Sequence, residues 1–318
     1  MPRPHNVNQR DLAADSGARA VSVRRGPAKY WRHRIICAAM GLLLSFDTAA
    51  PAGPGSDRME GLIDADRSAG STLWTSGFRE VLRQSFDSDG VLLLPGAQLL
   101  TAGRLLLLDT DTQPSPSGMR MSWDPLGLII SGDSTTGVTW GVVTQLQDSN
   151  PPATGRYVAA WQHGSSGWRI AACALLGVSP PSRQAWELIG RSIPGEPPDS
   201  RAQPFLNADR GFARLAADSG AAVAFRTWAA SDAMIFGRRG FIIRGADMIG
   251  RAVDGPARWR WDPVTGGGST SGNLGWTVGE ATISPDEGAP ARTKYLSVWH
   301  VSPDGSVRFI IDAGNARP

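Results

Sequence analysis

The chain carries one pattern twice, and this duplication limits its fold more than any other feature of its 318 residues. Ala65-Asp66-Arg67 is echoed by Ala208-Asp209-Arg210, and Ser76-Gly77 by Ser219-Gly220, both at a shift of 143 positions. Farther along, Trp123-Asp124-Pro125 answers Trp261-Asp262-Pro263. Gly137, Thr139, Gly141, Tyr157 and Trp161 match Gly275, Thr277, Gly279, Tyr295 and Trp299 at a shift of 138. Ser131-Gly132-Asp133 reads against Ser271-Gly272-Asn273. A period of roughly 140 residues is too long for a solenoid unit. It suits two copies of a compact domain, each large enough to bury a core.

The opening residues belong to neither copy. Arg24, Arg25, Lys29, Arg32, His33 and Arg34 precede an apolar run from Ile35 to Phe46, and Ala50-Pro51-Ala52 puts small residues where a signal peptidase reads. The segment reads as an export signal cleaved near Ala52, which makes the mature protein periplasmic or secreted. This twelve-residue run falls short of the roughly 20 apolar residues that span a bilayer, so no stable membrane anchor is expected. The expected organisation is a signal over 1–52, a first domain over 53–178, a Pro-rich linker over 179–202 and a second domain over 203–318.

Removing the signal changes the charge. Residues 1–50 hold eight of the 32 Lys and Arg and three of the 29 Asp and Glu, leaving 24 basic and 26 acidic residues. A near-neutral mature chain lacks the electrostatic basis for a nucleic-acid partner. Cys37 lies in the signal and Cys173 stands alone after it, so no intrachain disulfide is expected; Cys173 sits in an apolar run and reads as a buried, inert thiol. His163 and His300 are the only histidines beyond the signal, and no cluster has metal-ligand spacing, so neither a metal nor a cofactor is expected. No Gly-x-Ser-x-Gly elbow is present. Gly266-Gly267-Gly268 lacks the strand-to-helix context of a phosphate loop and reads as a flexible turn.

Each copy begins with helical periodicity. Leu62, Asp66, Ala69 and Leu73, and again Phe205, Asp209, Phe212 and Ala216, fall at i, i+4, i+7 and i+11, which places a carboxylate on an apolar helix face. Gly77 and Gly220 end these helices, and short second helices follow over Phe78–Phe86 and Ala221–Ala230. Val91–Leu94 and Met234–Phe236 read as short strands. The distal half of each copy alternates as antiparallel sheet, with Val138 and Trp140 set against Thr139 and Gly141, and Trp276 and Val278 against Thr277 and Gly279. The last two strands close through Ser165-Ser166-Gly167 and Pro303-Asp304-Gly305. A helical turn is expected in the linker around Trp186–Ile189. Helices first and strands after is an α+β plan.

The order helix, helix, strand, Trp-Asp-Pro, Ser-Gly-Asp/Asn, Gly-x-Thr-x-Gly, Tyr-x-x-x-Trp and a Gly-containing closing hairpin resembles the SnoaL-like, ketosteroid-isomerase-like (nuclear-transport-factor-2-like) superfamily, in particular its exported bacterial branch of unknown function. The resemblance implies two tandem cone-shaped α+β domains, each a curved antiparallel sheet wrapped around helices and enclosing a pocket. It also implies packing through the sheets, here as an intramolecular pseudo-dimer. Isomerases of this superfamily use a tyrosine on the first helix and an acidic base after the first strand. Ala69 and Phe212 fall near the first position, and Leu94 with Pro95 and Gly237 near the second, so the steroid-isomerase mechanism is disfavoured in both copies.

Two carboxylates of the first copy are the catalytic candidates. Asp66 faces an apolar interior, where desolvation raises a carboxyl into the range useful for proton transfer, or where an Arg or strand amides hold it structurally. Asp133 opens a strand near the implied pocket mouth, or serves a turn beside Gly132. Trp74, Trp140, Trp161, Asp209, Phe212, Asn273, Trp276 and Trp299 are the candidate ligand-binding residues for a small apolar molecule, against core packing as the plainer role for the indoles. The expected function is ligand binding or non-enzymatic scaffolding. The alternative is an isomerase, dehydratase or hydrolase using Asp66 or Asp133.

Overall fold

The computed structural model describes residues 54–107, 120–147, 150–179, 189–193, 201–236, 241–302 and 304–316. The expected signal with Cys37 and its expected cleavage point, Gly237, and most of the expected linker including Trp186 lie outside them.

The first repeat runs α1 (Pro54–Ser76), α2 (Phe78–Ser85), β1 (Phe86–Leu93), β2 (Leu100–Thr101), α3 (Ala102–Leu107), β3 (Arg120–Ser131), β4 (Thr136–Gln147), β5 (Asn150–Gly164) and β6 (Gly167–Ser179). A strand β7 (Ile189–Ile193) follows. The second repeat runs α4 (Gln203–Ser219), α5 (Ala221–Trp228), β8 (Ala229–Phe236), β9 (Ile242–Arg244), α6 (Ala246–Ala252), β10 (Arg258–Gly268), β11 (Leu274–Ser284), β12 (Ala291–Val301) and β13 (Val307–Ala316). Both sheets share one strand order, β3-β4-β5-β6-β1-β2 and β10-β11-β12-β13-β8-β9. Neighbours are antiparallel except for the parallel pairs β1 with β6 and β8 with β13. Each repeat is therefore an α+β domain. Gly77 and Gly220, at φ 82° and 89°, supply the left-handed turn between the paired helices, a conformation that a Cβ disfavours.

Three expectations are corrected. Gly266–Gly268 is not a turn: it closes β10, paired to Thr277, Trp276 and Gly275, and the Trp276 indole lies over Gly267 where a Cβ would come within 2.8 Å of it. Ile189 starts a strand rather than ending a helical turn, and β7 adds itself in parallel to β3. The loop alignment also shifts. Ser131 and Ser269 play the same part, each accepting through its hydroxyl from the strand that follows, at Thr136 N and Leu274 N. Ser134 and Gly272 share a positive φ, 56° and 69°. The shift of 138 thus holds through the loop, so Asp133 corresponds to Ser271 and Thr135 to Asn273. The Asp-to-Asn exchange read from the sequence is a misalignment by two residues.

Strand alternation divides the residues between two environments. The helix-facing side of the first sheet packs Tyr157, Trp161, Ile170 and Cys173 on Leu62, Ala69 and Leu73 of α1 in one buried cluster. The outer side, with Val138, Trp140, Val158, Ala160 and Ala172, joins a second cluster that also contains Trp276, Val278, Leu296 and Val298 of the second sheet. Burying a side chain such as Val138 or Val158 contributes about 1.5–3 kcal/mol, so each repeat's outer face depends on the other for its cover. Polar contacts seal the same junction. Asn315 Nδ2 donates to the carbonyls of Leu93 and Leu175, both at 2.7 Å, and Lys294 Nζ donates to those of Leu94 and Ala97.

Candidate functional site

The helix carboxylates are tied to the sheet by tyrosines, in the same way in both repeats. Tyr157 of β5 donates its hydroxyl to Asp66 Oδ2 at 2.6 Å, and Tyr295 of β12 donates to Asp209 Oδ2 at 3.0 Å. Beside each pair, an indole from the same strand donates to a threonine on its neighbour. Trp161 Nε1 reaches Thr139 Oγ1 and Trp299 Nε1 reaches Thr277 Oγ1, both at 2.8 Å.

The Gly-x-Thr-x-Gly motif builds this arrangement. At its first glycine the helix comes so close that a Cβ on Gly137 would lie 2.4 Å from Leu62, and one on Gly275 would lie 2.1 Å from Phe205. At its last, a Cβ on Gly141 would lie 2.6 Å from the Tyr157 ring, and one on Gly279 would lie 2.4 Å from the Tyr295 hydroxyl. The missing side chains let the helix approach and let the tyrosine lie across the strand. The Trp-Asp-Pro tryptophan completes the first copy: Trp123 stacks on Tyr157 with centroids 5.0 Å apart and donates Nε1 to the Asp66 carbonyl at 3.0 Å.

Burial dominates the chemistry of these carboxyls. Asp66 and Asp209 are 0 % and 1 % exposed, and desolvation raises each to about 7 despite the opposing hydrogen bonds from the tyrosines. Asp66 Oδ1 has no hydrogen-bond partner, and the Thr139 hydroxyl stands close enough to favour the charged form without meeting hydrogen-bond geometry. Burial and the adjacent carboxylates push both tyrosine hydroxyls above their usual value. The second repeat has a further acid. Asp312, at the register position that Cys173 holds in the first repeat, is partly exposed as a residue, yet its carboxyl is sunk near Asp209, and burial together with that neighbour raises it to about 7. Cys173 is itself buried, which pushes its thiol up.

Asp133 lies in the turn between β3 and β4 rather than opening a strand. Partial burial opposes its ionisation, but the Ser131 hydroxyl and the amides of Thr135 and Ser271 outweigh that and hold it below the usual carboxylate range. Asn273 accepts from the hydroxyls of Ser269 and Ser271 at 3.0 and 2.8 Å.

The aromatic candidates are spread over three environments. Trp161 and Trp299 are buried on the helix-facing sides, where Phe212 packs edge to face on Phe225 and Trp261, both with centroids 5.0 Å apart. Trp140 and Trp276 belong to the cluster between the sheets. Trp74 is partly exposed at the end of α1, with the Arg120 guanidinium 5.5 Å from its ring. The structure brings Asp66 together with Trp161's threonine, and Asp209 with Trp299's; it does not bring Asp66 and Asp133 into one site. Sequence reasoning missed the tyrosines as the partners of the aspartates, although each Asp recurs with its Tyr in the second copy. Among the described residues no group of three His, Cys, Asp or Glu side chains is placed to hold a metal ion, and no helix is long and apolar enough to cross a membrane.

No family model and no curated protein matches this chain. Solved structures similar to it include an NTF2-like protein of unknown function from Pseudomonas putida, 12% identical over 36% of this chain and 84% of that one, with a TM-score of 0.31. An NTF2-like superfamily protein from Salmonella enterica is 15% identical over 41% of this chain and 96% of its own, with a TM-score of 0.32. A Δ5-3-ketosteroid isomerase from Mycobacterium sp. is 19% identical over 35% and 91%, with a TM-score of 0.30. Each covers about one repeat's length of this chain.

Proposed function

We propose that this chain is an exported, non-enzymatic scaffold whose two repeats form an internal pseudo-dimer through their sheets. The observation that carries this reading is the sealed Asp–Tyr pair, present in both repeats. A general base has to touch its substrate, whereas these carboxyls touch a tyrosine and the core around it. Asp133 argues the same way, since a carboxylate that accepts three hydrogen bonds and has a lowered pKa is a weak base. The sheet faces through which separate copies would pair are occupied within the chain.

Native mass spectrometry of the mature chain, purified from its own host's periplasm or medium, tests the reading. The expected species is a monomer beginning at Gly53 and free of small adducts. A dimer would remove the pseudo-dimer, an uncleaved leader would remove export, and a reproducible apolar adduct lost on Phe212→Trp would restore an open pocket in the second repeat.

A further inference from the structure

The outer side of the second sheet changes character along its strands. Near Trp276 and Val278 it is apolar and covered by the first repeat; beyond them it becomes charged. Register places Arg260, Thr282 and Arg292 in one row across β10, β11 and β12, and Asp262, Glu280 and Lys294 in the next. Directly opposed residues share a face. All of these except Lys294 line a cleft of about 260 Å³ together with Ala281, while Lys294 is sunk at the row's end against the carbonyls of Leu94 and Ala97.

Here, among the described residues, no hydrogen bond or ion pair engages the side chains of Arg260, Asp262 or Arg292. The first repeat supplies an internal control. Its corresponding rows are Ser122, Thr144 and Thr154, and Asp124, Val142 and Arg156. The same sheet geometry is therefore built without a pair of arginines astride a threonine, so folding does not require that pair.

We propose that this cleft binds a small zwitterion, with its anionic end between Arg260 and Arg292 over the Thr282 hydroxyl and its cationic end on Asp262 and Glu280. A guanidinium fork matches a carboxylate in two hydrogen bonds, and two forks flanking a hydroxyl form a clamp for such a group. The rows stand about 7 Å apart along the strand, which sets the spacing of the ligand's charges. A plain anion would meet the carboxylates and a plain cation the guanidinia, so repulsion selects a molecule carrying both. The volume lies below the roughly 300–1,000 Å³ of pockets for drug-sized ligands, which limits the occupant to a small one. The site lies apart from the buried Asp–Tyr pairs and does not rest on the scaffold reading.

Isothermal titration of the full chain at low ionic strength with 5-aminopentanoate tests the proposal, with pentanoate and pentylamine as single-charge controls. Saturable binding of the zwitterion is expected, with either control weaker by about tenfold or more. Arg260→Gln combined with Arg292→Gln should abolish it, while Ser122→Ala in the first repeat leaves it unchanged. Absence of saturable binding, equal binding of pentanoate, or binding that survives the double substitution overturns the proposal. If the glutamine pair does not fold, Asp262→Asn decides instead: it should weaken 5-aminopentanoate more than pentanoate, and an equal effect on both overturns the zwitterion assignment.

Discussion

The Asp133 carboxylate accepts the main-chain amide of Ser271, the residue that stands at Asp133's own position one repeat later. A residue that meets its own counterpart is the mark of an isologous contact close to a two-fold relation, and it supports the proposed internal pseudo-dimer. The neighbouring contact, Thr270 N to Thr135 Oγ1 at 2.9 Å, ties the same two loops together.

Asp133→Ala should therefore act on stability. It removes the acceptor for the Ser131 hydroxyl and for the Thr135 and Ser271 amides. A loss of about 1–3 kcal/mol is expected in urea unfolding at pH 7, with Asp133→Asn costing less because its carbonyl oxygen still accepts. A variant of wild-type stability would show that the loop contact contributes nothing.

The buried carboxyls give the chain an unusual response to pH. Asp66 and Asp209 are raised from 3.8 to about 7 in the fold, so the folded state binds protons more tightly than the unfolded one. The stability this confers is complete below pH 4 and is lost as pH rises towards 7, by on the order of 4 kcal/mol per group as an upper figure. Asp312 adds the same sign in the second repeat, and Asp133, with its lowered pKa, adds the opposite one. Melting temperatures from pH 4 to 9 should fall across this window. Asp66→Asn should flatten part of the slope, and an unchanged slope would place the titration elsewhere.

The shared core predicts cooperative unfolding. Because Val138, Trp140, Val158 and Ala160 sit in one cluster with the second repeat, tryptophan fluorescence and circular dichroism should report a single coincident transition in urea. Ala160→Arg buries an unpaired charge at that junction and should split the transition in two or abolish folding. Two transitions in the unmodified chain would mean that the repeats are stable separately.

Gly141→Ala offers a local test of the helix-to-sheet tie. Its Cβ would lie 2.0 Å from the Asp124 carbonyl and 2.6 Å from the Tyr157 ring, while Gly164 has nothing within 4 Å. Gly141→Ala should cost about 1–3 kcal/mol or more, and Gly164→Ala should be near neutral. Equal effects would mean that Tyr157 moves aside freely.

The sequence by itself determined the duplication, the α+β order, the helix that carries Asp66 and its echo with Asp209, and the alternation of Thr139 with Trp140. The duplication is written in identities 138 to 143 positions apart, and the elements in spacings of 3.6 and 2 residues that a short window of the chain holds. Only the tertiary structure decided which group would satisfy each buried carboxyl, because Tyr157 lies 91 residues from Asp66 and no local rule joins them. The loop at Ser131 shows the same limit: Ser131-Gly132 and Ser271-Gly272 share their letters, yet hydrogen bonding and φ set the correspondence two residues away. The Arg260, Thr282 and Arg292 row was hidden for the same reason. Cross-strand register assembles it from three strands, and register depends on pairings between distant segments whose side chains interact only once the sheet has formed.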